Sequence, residues 1–424
     1  PGMSNDVTGN KAANNQEGVF PDDTVAAFDN PRTEYLSEYL HRLKGSALGL
    51  VTTADVFDAT PAANAVHTGS RGMGTGIVDQ YLDDRHLTGL KVLMGGGRKW
   101  FLPNAGNSTS PQPANGSQRR DGSDYVLPPD IVSGWKASPG KLDSGRDLIG
   151  DFIGAGYAYA PDRETMLKLG APDKLLGLFS YSNMNVAFDK IAGRRKTSTV
   201  VDDYGFPDQP MLDEMAGTAL KVLDKDNRNG FFLLIEGASI DKQSHLMDTD
   251  RWILETVEFD RAVQVAKDYA ASHPDTLVIV TADHECAGAA VIGASMVSDA
   301  ALRGRAATPA ELRDKVVGIY EAARFPEYTM LADGYPQSTD IDRKMLIGYG
   351  ANADRYETWR SSPSYNVSPQ ARNTTTGYFV TGQQPGTGVQ SAVHTASDIP
   401  LSAGGRGAAA FTGVFDNTEA FFKA

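Results

Sequence analysis

The run Phe231-Phe232-Leu233-Leu234-Ile235 is continuously apolar and stops at Glu236-Gly237. An apolar run of this length, without alternation, reads as a strand buried on both faces, as in a parallel sheet covered by helices. Just upstream, Met211 to Leu223 carries apolar residues at helical spacing. The same helix-then-strand unit recurs on both sides. Tyr35, Leu36, Tyr39, Leu40 and Leu43 share one helical face, with Asn30-Pro31 as the expected start and Gly45 as the stop, before a β run from Leu48 to Thr53. Arg251 to Ala271 reads as a long amphipathic helix, before a strand from Thr276 to Thr281. Alternating helices and short apolar strands predict an α/β fold, with a mostly parallel central sheet flanked by helices on both faces.

Other segments interrupt this alternation. Pro1 to Asp29 is polar and rich in Gly and Asn, and reads as loop; Asn104 to Gly122 is rich in Ser, Asn, Pro and Gly, and reads as a surface loop. Residues 287–391 are long and aromatic, with Tyr320, Phe325, Tyr349, Trp359 and Tyr378 among them. They read as an inserted accessory subdomain ahead of the C-terminal strands, leaving 1–286 and 392–424 as the α/β core.

Composition narrows the function. The 424 residues hold 40 Lys and Arg against 53 Asp and Glu, a formal charge of −13. That balance disfavours binding to nucleic acid, which depends on cationic side chains neutralising phosphates. No apolar run approaches the roughly 20 residues of a membrane-spanning helix. The single cysteine, Cys286, excludes an internal disulfide and reads as a small buried residue. The sequence opens at Pro1 without Met or a leader-like segment, so a processed or truncated chain is expected.

The chemistry clusters after the strands, where open α/β sheets bind ligands. Asp58 follows the first strand; Glu236, Asp241 and His245 follow the second; Asp283-His284 follow the third. If these carboxylates converge, their repulsion and desolvation require cations, and Lys242 and Arg71 are too few. Divalent metal ions are the economical answer, and Asp with imidazole nitrogen is a zinc-type donor set. On a helix Asp241 and His245 share a face. Each piece alone has an ordinary reading: a surface salt pair for Asp241/His245, a cap for Asp283-His284, a turn for Glu236-Gly237, a cap-plus-proline start for Thr60-Pro61. His41, His67, His86 and His273 read as structural or exposed. The repetition of the acidic feature at three strand ends carries the case.

These residues resemble a known family. Asp58-Ala-Thr-Pro-Ala-Ala with His67-Thr-Gly-Ser-Arg71, Phe231 through Glu236 to Asp241-Lys-Gln-Ser-His245, Thr276-Leu-Val-Ile-Val-Thr-Ala-Asp-His284, and Val393-His394-Thr395 with Gly404-Gly405 and Phe411-Thr-Gly413 are similar to alkaline phosphatases, in the family's order. The resemblance implies a phosphomonoester hydrolase with two zinc ions and one magnesium. Asp241, His245 and His394 would bind the first zinc, Asp283 and His284 the second, and Thr60 and Glu236 the magnesium. Arg71 would clamp phosphate, with Asp58 and Lys242 linking metal and phosphate; Lys242 matches the bacterial form of the site. The family's earlier block, a strand ending in a bridging Asp followed by a Ser or Thr nucleophile, has no counterpart here and is expected on a missing N-terminal part. The family also implies small phosphate-monoester substrates, a homodimer and a periplasmic or secreted location. A related phosphodiesterase, sulfatase or phosphomutase, or a non-catalytic metal- and phosphate-binding remnant, are the alternatives.

Overall fold

The computed structural model describes residues 2–105, 116–197, 208–225, 227–295, 316–317, 328–338, 345–350, 379–381 and 392–424. Its centre is a five-stranded sheet. In chain order the strands are β1 (Ala47–Asp55), β2 (Leu90–Gly96), β3 (Ala158–Ala160), β4 (Leu175–Leu178) and β5 (Phe231–Glu236); in space they run β3-β4-β2-β1-β5, every pair parallel. Alternation along each strand sorts side chains to two cores. Leu48, Leu50, Leu93, Leu176 and Leu178 join Ile77, Tyr81, Phe101 and Phe152 on one face, where Phe232 and Leu234 also pack. Val51, Val92, Met94 and Leu175 join Leu212, Met215, Ala219 and Leu223 on the other, with Phe231, Leu233 and Ile235. Both faces are covered, which is why the strands read as unbroken apolar runs.

The helices that position the site are α1 (Gly2–Thr8), α2 (Leu36–Lys44), α3 (Ala59–Ala62), α4 (Gly74–Asp83), α5 (Arg85–Thr88), α6 (Pro129–Trp135), α7 (Leu148–Gly154), α8 (Arg163–Leu169), α9 (Ala187–Arg194), α10 (Leu212–Asp224), α11 (Ser239–His245) and α12 (Thr249–Ser272). Helix α10 lies so close to β1 that a Cβ on Gly49 would stand 2.7 Å from Leu223 Cδ1. Helix α2 ends at Gly45 in the left-handed conformation, φ 70°, as its sequence predicts.

The remaining strands form smaller sheets. Strand β6 (Leu277–Val280) pairs antiparallel with β13 (Ser402–Gly405), and β7 (Glu285–Cys286) with β12 (His394–Thr395). Between them in sequence, β8 (Ala289–Ser295), β9 (Val316–Val317), β10 (Met345–Tyr349) and β11 (Phe379–Thr381) make a four-stranded sheet, ordered β11-β10-β8-β9. These strands all come from the stretch expected to be an inserted subdomain; most of that stretch lies outside the described residues. Among the described residues β5 pairs only with β1, and β6 only with β13.

Several expectations change. Pro1 to Asp29 is not all loop: α1 forms and packs Val7 against Tyr35 and Ala63. Helix α2 does not begin at Asn30-Pro31. Phe20 N–H donates to the Pro31 carbonyl and Val19 bridges to Arg32, which keeps this stretch extended, and the helix starts after Tyr35, whose N–H donates to Glu38. Helix α3 is capped by Asp58, whose carboxylate accepts from Ala59 N–H, rather than by Thr60. The described end of the Asn104–Gly122 segment is not surface: Arg119 is fully buried, with both guanidinium ends 2.8 Å from Asp79.

Candidate metal centre

Past the carboxyl ends of β1 and β5 the chain turns into short helices: α3, capped by Asp58, and α11, which carries Asp241. After β5 the chain enters α11, which sets Asp241 and His245 one turn apart on one face, His245 Nε2 3.4 Å from Asp241 Oδ1. His394 arrives from β12 and places its Nε2 3.2 Å from the same carboxylate oxygen and 3.0 Å from His245 Nε2. His245 Nδ1–H donates to the Ala392 carbonyl at 2.7 Å, so its Nε2 presents a lone pair to this meeting point. An oriented imidazole with its second nitrogen tied to a carbonyl is the usual arrangement of a metal-ligating histidine. A carboxylate and two imidazoles, all donors of zinc type, converge here at 3.0–3.4 Å, so the chemistry of the set fits a divalent cation.

Asp283 and His284 stand beside this group. His284 Nε2 lies 3.1 Å from Asp283 Oδ2, its Nδ1 is 4.0 Å from Asp241, and its ring stacks on His394 at 3.6 Å. Burial works against ionised Asp283, but the imidazoles of His284 and His394 hold its carboxyl below the ordinary value. Against burial, the carboxylates of Asp283 and Asp241 push His284 up, whereas burial and the His284 imidazole hold His394 down.

Glu236 closes β5. Its Oε2 accepts from the Thr52 hydroxyl at 2.6 Å, and the Thr60 hydroxyl also bonds to it. Burial pushes Glu236 up to about 7, and the Asp58 and Asp283 carboxylates add to this against the Thr52 hydrogen bond. Asp58 is the meeting place of the cations. Lys242 Nζ donates to Asp58 Oδ2 at 2.6 Å and Arg71 donates to Oδ1. Despite burial, these two cations hold Asp58 below the usual carboxylate range. Arg71 keeps 44% of its side chain exposed, so its fork remains accessible to a ligand. A groove of ≈ 530 Å³ opens along α11, with Asn183, Met184, Ser239, Lys242 and His245 on its walls.

All ten residues expected at the site lie in these linked groups: Asp241, His245 and His394; Asp283 and His284; Glu236 and Thr60; Asp58, Lys242 and Arg71. The four histidines set aside bond elsewhere: His41 to the Ser46 carbonyl, His67 to Glu38, His86 to the Lys136 carbonyl and His273 to Tyr269. A second carboxylate group, Asp79, Asp124 and Asp143, is met by Arg119 and Arg146, so its charge is largely offset within the protein.

Three residues were missed. Asp6 on α1 is pushed up to about 7, by burial and then by the Asp283 carboxylate. Glu17 is fully buried, neither carboxylate oxygen has a hydrogen-bond partner, and burial raises it well above its ordinary value, Asp58 adding and Arg71 opposing. Cys286 lies opposite His394 across the β7/β12 pair. The first two lie in a polar segment with no periodic signal; Cys286 carried only its nearness to Asp283-His284.

Comparison with known proteins follows the same line. A family model described as alkaline phosphatase matches residues 8–423. The chain is 29% identical over 384 residues to alkaline phosphatase 3 of Bacillus subtilis, covering 89% of this chain and 66% of that protein. Among solved structures, the alkaline phosphatase of Thermus thermophilus superposes with a TM-score of 0.60 at 21% identity, covering all of this chain and 77% of that one. A mutant alkaline phosphatase of the Antarctic bacterium TAB5, solved with magnesium bound, gives 0.57 at 19% identity, covering all of this chain and 81% of that one. The chain thus spans just under two thirds of the length of the Bacillus relative.

Proposed function

Since the chain belongs to the alkaline phosphatase family, we propose that it forms the metal- and phosphate-binding body of an enzyme that hydrolyses phosphate monoesters. The observation that carries this reading is the convergence of Asp241 Oδ1, His245 Nε2 and His394 Nε2 within 3.0–3.4 Å, beside an arginine and a lysine gathered on one carboxylate.

Asp241, His245 and His394 would hold one zinc ion, Asp283 and His284 a second, and Glu236 and Thr60 a magnesium ion. Bound there, the ions supply Lewis-acid stabilisation of charge building on phosphoryl oxygens. The chain's own residues do the rest. Arg71 presents a planar fork that matches two phosphate oxygens, and Asp58 holds that fork in place before a ligand arrives. Lys242, tied to Asp58, adds positive charge at the same spot. These cations, with the metals, make a locally positive site on a protein of net charge −13, which suits a doubly negative monoester. A sulfate or diester carries less charge and gains less from them.

The nucleophile and a bridging Asp are assigned to a segment outside these 424 residues. Two features support this. Strands β5 and β6 are apolar, and each has one edge without a described partner, so a further strand could pair there. The first helix begins against the centre: a Cβ on Gly2 would stand 2.8 Å from Asp283 Cβ, so a segment preceding Gly2 would enter at the metal ligands. The four-stranded sheet drawn from 287–391 supports reading that stretch as an accessory subdomain. Family membership alone supports a homodimer and a periplasmic or secreted location; no helix among the described residues is long and apolar enough to cross a membrane.

The test is turnover by a polypeptide extended upstream of Pro1, with zinc and magnesium, on 4-nitrophenyl phosphate, its diester and its sulfate. A rate on the monoester at least a hundredfold above the others is expected. Preference for the diester or sulfate, or tight zinc and phosphate binding without turnover, would overturn the proposal.

A further inference from the structure

We propose that Cys286 is a sulfur ligand of the first zinc ion, completing an Asp–His–His–Cys set; this rests on the zinc reading of Asp241, His245 and His394 given above. The placement follows from two simple regularities. Helix α11 supplies Asp241 and His245 as a one-turn pair. The β7/β12 ladder supplies Cys286 and His394 as a directly opposed antiparallel pair. Directly opposed residues project from the same face of a ladder with their Cβ atoms about 4.5–5.5 Å apart. Two donors from a helix thus face two donors from a two-stranded ribbon.

The distances suit a single ion. One donor atom from each of Asp241, His245, Cys286 and His394 lies within 4.8 Å of all the others. Donors bound tetrahedrally to zinc at its usual bond lengths stand about 3.3–3.8 Å apart. The carboxylate and the two imidazoles are already that close or closer, so the sulfur needs to close by about 1 Å from the widest spacing allowed. The thiol donates a long hydrogen bond, 3.7 Å, to the Asp241 carbonyl. On binding, the S–H bond breaks, its proton goes to solvent, and the sulfur electron pair forms the Zn–S bond.

This changes what the site does. Asp, His and His alone leave one position of a tetrahedral zinc open. Cys286 would take that position in the resting site, so a phosphate oxygen would have to compete with its sulfur for the ion. A thiolate also shifts metal preference toward softer ions such as cadmium.

The test is zinc-edge X-ray absorption on the intact zinc-loaded protein, which needs no variant. A sulfur shell at about 2.3 Å is expected alongside nitrogen and oxygen at about 2.0–2.2 Å. Cys286→Ser, nearly isosteric, is expected to retain zinc, to lose the sulfur shell, and to lose at least tenfold of the preference for cadmium over zinc. Bound zinc with only nitrogen and oxygen around it overturns the sulfur ligand and leaves the zinc reading standing. A sulfur shell that persists in Cys286→Ser overturns it as well. If no zinc binds, the reading on which this rests falls first, and the inference with it.

Discussion

Replacing Asp241 by Asn keeps the side chain's shape and removes its charge from the point where His245 and His394 meet, at 3.4 and 3.2 Å. Zinc at a free concentration a hundred times its dissociation constant stabilises the folded state by about 2.7 kcal/mol. Unfolding entropy near 2.1 cal/mol/K per residue gives about 0.9 kcal/mol/K for 424 residues, so zinc should raise the melting midpoint by about 3 °C. Loss of the anionic ligand should weaken binding by at least about a hundredfold, since even residues that only orient a ligand cost 10–100-fold. At the same free zinc the part of the shift due to this ion then falls below about 1 °C, and any rise from the second ion remains. The Asp241 carboxylate is partly exposed and meets the imidazoles of His245, His284 and His394, contacts an amide oxygen can also make, so in chelator the variant should melt within about 1 °C of the parent. Scanning calorimetry at pH 8, with chelator and then with buffered zinc, reads both numbers. The reasoning is refuted if Asp241→Asn shows the full zinc-induced rise, or if it melts far lower than the parent in chelator.

Other perturbations probe neighbouring claims. Arg71→Lys keeps the charge but loses the two-pronged fork, so affinity of the zinc-loaded protein for inorganic phosphate should fall about 10–100-fold by titration calorimetry, corresponding to roughly 1.5–3 kcal/mol; unchanged affinity would remove Arg71 from the phosphate site. Lys190→Met leaves Glu255 and Glu258 buried without the ammonium that sits 2.6 Å from Glu258, and urea unfolding should show a loss of about 3–5 kcal/mol; a loss below about 1 kcal/mol would contradict the pairing. Asp6 holds its proton in the folded state up to about 7, against 3.8 for the free group, so metal-free stability should fall as pH rises from about 4 to 7. Asp6→Asn removes that loss, and its advantage in urea midpoint should grow across the same window and level off above it. A constant difference would mean that neither burial nor the Asp283 carboxylate raises Asp6.

The local apolar signals predicted the elements that frame the site. Within β5 and β1, residues 231–235 and 47–51 are unbroken by polar side chains because both sheet faces are covered, and α10 and α12 carry helical periodicity because one face is buried. Looking just after the strands picks out Asp58, Glu236, Asp241 and Asp283, whose charges act on shared neighbours in the fold. What the sequence hid depends on distant partners. The alternation of helices and strands predicts Thr276–Thr281 in the parallel sheet, but Val278 and Val280 pair antiparallel with Gly404 and Ser402, on a glycine-rich strand with no apolar signature of its own. Arg119, in a segment of Gly, Ser and Pro, is buried because Asp79 waits for it on α4. Helix α1 has Gly, Ser, Asn and Thr, all weak helix formers, and is held by packing of Val7 and a Thr8 hydroxyl bond to Ser4. Cys286 gains its meaning only from a cross-strand neighbour more than a hundred residues away.

Anomalous scattering from zinc-soaked crystals goes most directly to the central claim, that carboxylates and imidazoles from separate elements meet around metal ions. Two peaks at the zinc edge are expected, one among Asp241, His245 and His394 and one at Asp283 and His284. A map with no peak at either place, or with zinc bound only at Asp79, Asp124 and Asp143, would contradict it.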